Sequence, residues 1–379
     1  MKKISKFVSL VLLVAASQLA HCQDFYENYS PTAKFDSTAV GSVSLHFYNN
    51  NFIRNNEYFG PFTEGITYLG NIVQPEATWA MSKELSLSAG WYLRHYFGQD
   101  GFEQSMPVLR VRYNPTPSIQ VVFGQLDGRL KHGYLEPIYN TDNYFIKNPE
   151  YGVQLKVDKS RLHTDVYMDW EKFLMPGEAH KEIITAGLLS SYRLSDGAKD
   201  RGFSLHFQSI IHHFGGQVDK STSPLQSRGN VSLGISYAIL PASIMVKKLT
   251  LSSHYIQALE LSQYNTIPFK SGYGIQSTLA IENDWIKVNS SWFHGEYYFA
   301  PMGDFLFQSL SQFNDWYIVE KRDLITSKFL LGHQIMKGVN FGIRFESYYD
   351  IQRKSDDFSY GLNISVNAKV FEKKISTAN

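Results

Sequence analysis

Charged residues recur at two-residue spacing along this chain of 379 residues, and the spacing limits the chemistry open to them. Arg110 and Arg112 stand one residue apart, with Arg94 on the preceding segment. Asp165, Asp169 and Glu171 follow further on, and Arg344 and Glu346 lie near the end. In an extended strand, residues two apart share a face, so each group forms a charged row. Such rows have two readings. They sort solutes by charge in a water-filled passage, or they simply solvate a wide interior.

Bond-making chemistry finds less support. His206, His212 and His213 form the tightest histidine group, without cysteine or an adjacent acidic pattern. Metal binding is the weaker reading of that group. No Gly-x-Ser-x-Gly, phosphate-binding glycine loop or His-Glu-x-x-His occurs. Ser and His on a lipid-facing wall, as in some outer-membrane hydrolases, are not detectable from spacing. The expectation is a protein that is not an enzyme and carries no cofactor and no metal.

Two polar-aromatic stretches stand between the patterned segments. Gly128 to Glu150 mixes Arg129, Lys131 and His132 with Glu136, Asp142 and several tyrosines. The stretch 300–323 carries Phe305, Phe307, Phe313, Trp316 and Tyr317. Those aromatics suit a lid or a membrane-interface girdle, and stacking on sugar rings or a partner is the alternative.

The elements that must position these residues are strands. Leu85, Leu87, Ala89, Trp91 and Leu93 alternate with small or polar residues. Leu162, Thr164, Val166, Met168 and Trp170 oppose His163, Asp165, Tyr167, Asp169 and Glu171. Amphipathic helical periodicity is rare. About sixteen such runs are predicted, beginning 42–54, 66–81, 84–98, 104–113 and 118–127, and ending 324–335, 339–351 and 357–371. Short connections (SKE, NPTPS, DKS, NDW, MKG) alternate with long ones at 55–65, 128–149, 174–180, 215–226, 261–270 and 300–323. A transmembrane barrel has short periplasmic turns and longer outer loops; a soluble sandwich has no reason to respect that alternation.

The first 22 residues have a basic start (Lys2, Lys3, Lys6), an apolar run from Phe7 to Ala16, and a small-residue end. This is the layout of a secretory leader, with an apolar core too short to span a membrane. Cleavage before Gln23 is expected; the rival is a lipoprotein box ending at Cys22, where His21 occupies a small-residue position. Cys22 is the one cysteine, so a disulfide framework is excluded. Without the leader, 33 basic residues face 35 acidic ones, a net charge of −2 that offers no field for nucleic acid. No apolar run after the leader reaches the ~20 residues of a membrane helix, so entry into a membrane requires a closed barrel.

Near the C-terminus, Ser359-x-Gly361-x-x-Ile364-x-Val366 with Phe371 resembles the barrel-assembly signal of outer-membrane proteins; eight further residues follow the aromatic. In architecture and in the place of the loop after strand five, the chain resembles the sixteen-stranded bacterial porins. The resemblance implies an all-β, antiparallel up-and-down barrel in the outer membrane of a Gram-negative cell, with that loop folded inward. The plan is a leader over 1–22, a short periplasmic segment over 23–41, a barrel over 42–371 and a tail over 372–379. The pore-lining candidates are Arg94, Arg110, Arg112, Asp165, Asp169, Glu171, Arg344 and Glu346. The constriction-loop candidates are Arg129, Lys131, Glu136 and Asp142, with Glu136 and Asp142 expected to face Arg94, Arg110 and Arg112. Expected partners are outer-membrane lipid, the barrel-assembly machinery and small hydrophilic solutes, with a homo-oligomer left open. Two alternatives stay open: a non-conducting barrel for secretion or surface assembly, and an uptake channel for apolar solutes.

Overall fold

The structure, a computed structural model, describes residues 31, 36, 38–128, 132–195, 201–216, 218–241, 245–264, 266–314 and 317–375. The leader over 1–22 lies outside the described residues, as do Arg129, Lys131 and Trp316.

Sixteen antiparallel strands close into one barrel, each paired with its sequence neighbours and the last with the first. The first half is β1 (Ser42–Glu57), β2 (Thr67–Ala80), β3 (Leu85–Tyr96), β4 (Gln104–Thr116), β5 (Ile119–Gln125), β6 (Tyr151–Asp158), β7 (Leu162–Lys172) and β8 (Glu182–Arg193). The second half is β9 (Gly202–Gly215), β10 (Gln226–Ile239), β11 (Lys248–Glu260), β12 (Ser271–Glu282), β13 (Ile286–Glu296), β14 (Lys321–Met336), β15 (Val339–Asp350) and β16 (Ser355–Lys374). Among the described residues a short α-helix, α1 (Asn143–Ile146), lies in the 126–150 loop. No described helix is long and apolar enough to cross a membrane.

The period-two pattern sets which side of each strand faces the interior. On β16, Ser359, Asn363 and Ser365 are buried while Tyr360, Leu362 and Ile364 are exposed on the outer wall. On β7, Tyr167 and Asp169 point inward, and Met168 and Trp170 outward. The apolar rows are therefore turned to lipid, and the polar rows to the interior. β16 runs to Lys374, past the expected barrel end at Phe371, and closes on β1 from Ser42↔Lys374 to Glu57↔Phe358.

Connection lengths alternate as expected until the last pair, where 351–354 joins β15 to β16 tightly. The turn between β14 and β15 shows the local rule: Gly338 sits at φ +78, the left-handed region that favours glycine, and its carbonyl accepts from Asn367 N. The wall itself is uneven. β5 and β6 have only 7 and 8 residues, against 13 in β4 and 11 in β7. Where the wall is low, the 126–150 loop turns inward.

Candidate functional site

The interior is packed, and the sequence-predicted charges are part of the packing. Arg94, Arg110, Arg112, Asp169, Arg344 and Glu346 are all buried. Arg94 donates to the carbonyls of Lys147 and Ile146 at 2.5 and 2.9 Å. Arg110 pairs with Glu76 at 2.8 Å and donates to the Gln125 carbonyl. Asp165 lies 3.0 Å from His132 Nδ1 and accepts from Gln154, Asp169 accepts from Tyr151 N, and Glu171 pairs with Lys147 at 2.7 Å.

Glu136 and Asp142 do not face Arg94, Arg110 and Arg112 as expected. Asp142 accepts from Arg54 Nε at 3.0 Å and from Asn56. Glu136 pairs with Lys328 and accepts from the Tyr348 hydroxyl at 2.8 Å. Glu346 joins the two: it pairs with Arg54 at 2.8 Å and with Arg344 at 2.6 Å, and lies 3.6 Å from Lys328. The physical reason is reach. Backbone carbonyls of the same loop and Glu76 on the wall already occupy Arg94 and Arg110. The loop's carboxylates therefore settle on the β1, β14 and β15 side. Sequence reasoning missed Arg54, Lys328 and Tyr348; their inward parity was legible, but their common partner was not.

The 126–150 loop spans the barrel. Tyr134, Ile138 and Tyr139 pack against Tyr167, Leu189 and Ile210 on one side. Phe145 packs among Tyr48, Phe52, Ile72, Tyr92 and Val108 on the other. Inward Gly187 makes room for the first contact, because a Cβ there would collide with Tyr134 and Tyr167. The 297–320 loop fills the rest, with Phe299, Met302, Leu306 and Phe307 buried against Ile256, Phe293, Leu324 and Tyr348. It thus folds in as a lid, while Phe313 stays exposed. The loops meet directly. Asn140 N donates to the Met302 carbonyl at 2.7 Å, Asp304 N to the Glu136 carbonyl at 3.3 Å, and Tyr139 forms a bridge with Met302. Ile138, Ile210, Ile256, Phe293 and Phe307 retain no exposure to water. The interior at this level is a hydrophobic core with a buried ion network around it.

The outer wall carries a different arrangement. On β13 the outward residues are Val288, Ser290, Trp292, His294 and Glu296; on β14 they include Lys321, Asp323 and Ile325. Their register sets His294 opposite Asp323 and Glu296 opposite Lys321. His294 Nδ1 lies 2.7 Å from Asp323 Oδ1, which leaves Nε2 directed toward Glu296 Oε1 at 3.6 Å. Gln352 donates to the other Asp323 oxygen at 2.6 Å, and Lys321 lies 3.4 Å from Glu296. Trp292 and Tyr273 flank the imidazole at 6.0 and 6.1 Å between ring centroids. The cluster sits at the long-loop end of the wall, just beyond apolar residues such as Ile325. A carboxylate on one imidazole nitrogen fixes the ring and supports protonation at the other, the arrangement of a general base.

The three histidines singled out from sequence are dispersed. His206 faces inward beside Ser236 at 2.8 Å, and His212 beside Thr185 at 2.7 Å. His213 faces outward, 2.7 Å from Ser227 Oγ. Its Nε2 lies over Gly215, where a Cβ would collide with it. No described group of three or more His, Cys, Asp or Glu residues is arranged to hold a metal ion.

A family model described as lipid A 3′-O-deacylase-type matches residues 35–375. No curated protein matches the sequence. Among solved structures, a loop L8 deletion mutant of OmpT, an outer membrane protein of Vibrio cholerae, is similar with a TM-score of 0.51 and 10% identity; the match covers 86% of this chain and 100% of that one. The outer membrane protein OprD from Pseudomonas aeruginosa gives a TM-score of 0.50 at 11% identity, covering 92% of this chain and 97% of that one. At such identities the likeness is one of fold: an outer-membrane β-barrel of porin-like architecture.

Proposed function

The chain belongs to the lipid A 3′-O-deacylase-type family, and from that premise we propose that it hydrolyses an acyl ester of lipid A on the outer wall of its barrel. The observation that carries this reading is the His294–Asp323 pair. It faces outward at the lipid–water boundary, whereas the interior charges are consumed in packing. Asp323 holds the imidazole, and Nε2 takes a proton from a water molecule. The hydroxide attacks the acyl carbonyl, and the tetrahedral intermediate collapses. The sugar oxygen leaves with the proton returned by the imidazolium, releasing a fatty acid. The Lys321 ammonium and the Tyr273 hydroxyl are the donors at hand for the oxyanion.

The test is mass spectrometry of lipid A from cells expressing the full chain or its His294→Ala variant. Loss of one acyl chain in the first and not in the second is expected. Unchanged lipid A with a folded, abundant wild-type protein overturns the assignment.

A second reading is passive passage of small hydrophilic solutes. It is favoured by the inward fold of the 126–150 loop and by the charged inner wall of Arg94, Arg110, Arg112, Asp165, Asp169, Glu171, Arg344 and Glu346. In this reading the two inward loops are a gate that must move before solutes pass. Planar-bilayer recording separates the two: steady conductance by the wild type supports the channel, and silence that ends on deleting 134–143 supports a closed barrel. The proposed partners are outer-leaflet lipid and the barrel-assembly machinery.

A further inference from the structure

A cavity of about 400 Å³ opens beside the 297–320 loop, bounded by the outer ends of β9 and β10 and by the 261–270 loop. It lies inside the rim, apart from the outward cluster around His294. Its volume falls in the ~300–1,000 Å³ range of small-ligand sites.

Its lining combines two kinds of surface. Phe214, Phe299 and Phe305 supply aromatic faces, and Gln226, Arg228 and Thr266 supply hydrogen-bonding groups. Among the described lining residues the one lysine or arginine is already balanced: Arg228 Nε pairs with Glu260 at 2.9 Å, and its Nη2 donates to Gln226 at 3.2 Å and to Thr266. These bonds fix the guanidinium plane without leaving a net positive charge. A free anion therefore gains little Coulomb attraction there. A purely apolar ligand would strip water from the Gln226 amide nitrogen and from the guanidinium N–H groups outside these bonds, which costs ~1–3 kcal/mol for each group left unsatisfied.

We propose that this cavity binds a neutral saccharide of one or two rings from the outside medium. A pyranose has a C–H face that packs on an aromatic ring and a rim of hydroxyls that both donate and accept. Phe305, half-buried at the loop, is the stacking ring; the Gln226 amide and the remaining guanidinium N–H groups meet the hydroxyls. The proposal is independent of ester hydrolysis on the outer wall.

Isothermal titration of the detergent-solubilised full chain tests it, with glucose, maltose, N-acetylglucosamine, lipid-free lipopolysaccharide core oligosaccharide and inorganic phosphate. Saturable binding of at least one of the three neutral sugars and none of phosphate is expected. Phe305→Ala and Gln226→Leu should each weaken it at least tenfold, with heat-modifiable gel mobility unchanged. If Phe305→Ala alters that mobility, Thr266→Val replaces it, with weakened binding again expected. Binding of glucose, maltose or N-acetylglucosamine supports a neutral sugar; binding of the anionic core oligosaccharide alone overturns it. No saccharide binding, tighter phosphate binding, or binding indifferent to the variants overturns the proposal.

Discussion

The hydroxyl of Tyr298 donates to the carbonyl of Pro137 at 2.8 Å, joining two loops 161 residues apart in the centre of the barrel. Both groups are buried, so the bond forms only when both loops are inside. The 126–150 and 297–320 loops thereby act as one plug, each supplying part of the surface on which the other docks. Inward glycines serve both: Gly187 gives space to Tyr134, and Gly274 to Phe293 and Tyr298.

Filling the Gly187 space should loosen the plug while sparing the wall. In Gly187→Leu the new side chain meets Tyr134 and Tyr167, and overpacking of this kind costs ~1–3 kcal/mol. Planar-bilayer recordings should show openings more frequent than in wild type, with normal heat-modifiable mobility. Equal quiescence would mean that the loop repacks around the leucine.

Arg54 is the tie between loop and wall, serving Asp142 and Glu346 together. Arg54→Ala leaves both carboxylates short of a partner, and breaking a buried pair costs ~3–5 kcal/mol. Its thermal transition in detergent should fall clearly below that of wild type. The exposed Lys321→Ala, by contrast, should hardly shift the transition, since such pairs contribute at most ~1 kcal/mol.

Leu233, midway along β10, is turned outward and 62% exposed on the wall. A cation at that depth costs ~2–4 kcal/mol on the lipid face of a barrel. Leu233→Arg should therefore reduce the membrane-assembled fraction measured by fractionation. Ser236→Arg, which faces inward near the periplasmic end, should reduce it less. The reverse order would invert the assignment of faces.

For hydrolysis on the outer wall, Asp323→Asn is the informative change, because it keeps the shape and removes the charge that orients His294. General-base assistance is worth ~10²–10⁴-fold, so the rate of fatty-acid release should fall by about that factor. Thermal stability should be little affected at this part-exposed site. A rate within a factor of two or so of wild type would remove the pair from the chemistry.

The sequence by itself determined the wall. Alternation is a local property with period two, and each strand announces its own two faces without reference to any other. Ser359, Asn363 and Ser365 against Tyr360, Leu362 and Ile364 are legible one residue at a time. Connection lengths then give strand order, because an antiparallel barrel pairs neighbours in sequence. The inward turn of the 126–150 loop followed from architectural resemblance, but its partners did not. Glu136 meets Lys328 at a separation of 192 residues, and Asp142 meets Arg54 across 88. Neither distance is encoded in any local pattern. The His294–Asp323 pair, 29 residues apart, depends on the β13–β14 register across a long loop and carries no motif spacing. Only the closed tertiary structure decides such contacts, because the path of a loop through the barrel is set by the total packing and charge balance of the interior rather than by any segment's own preference.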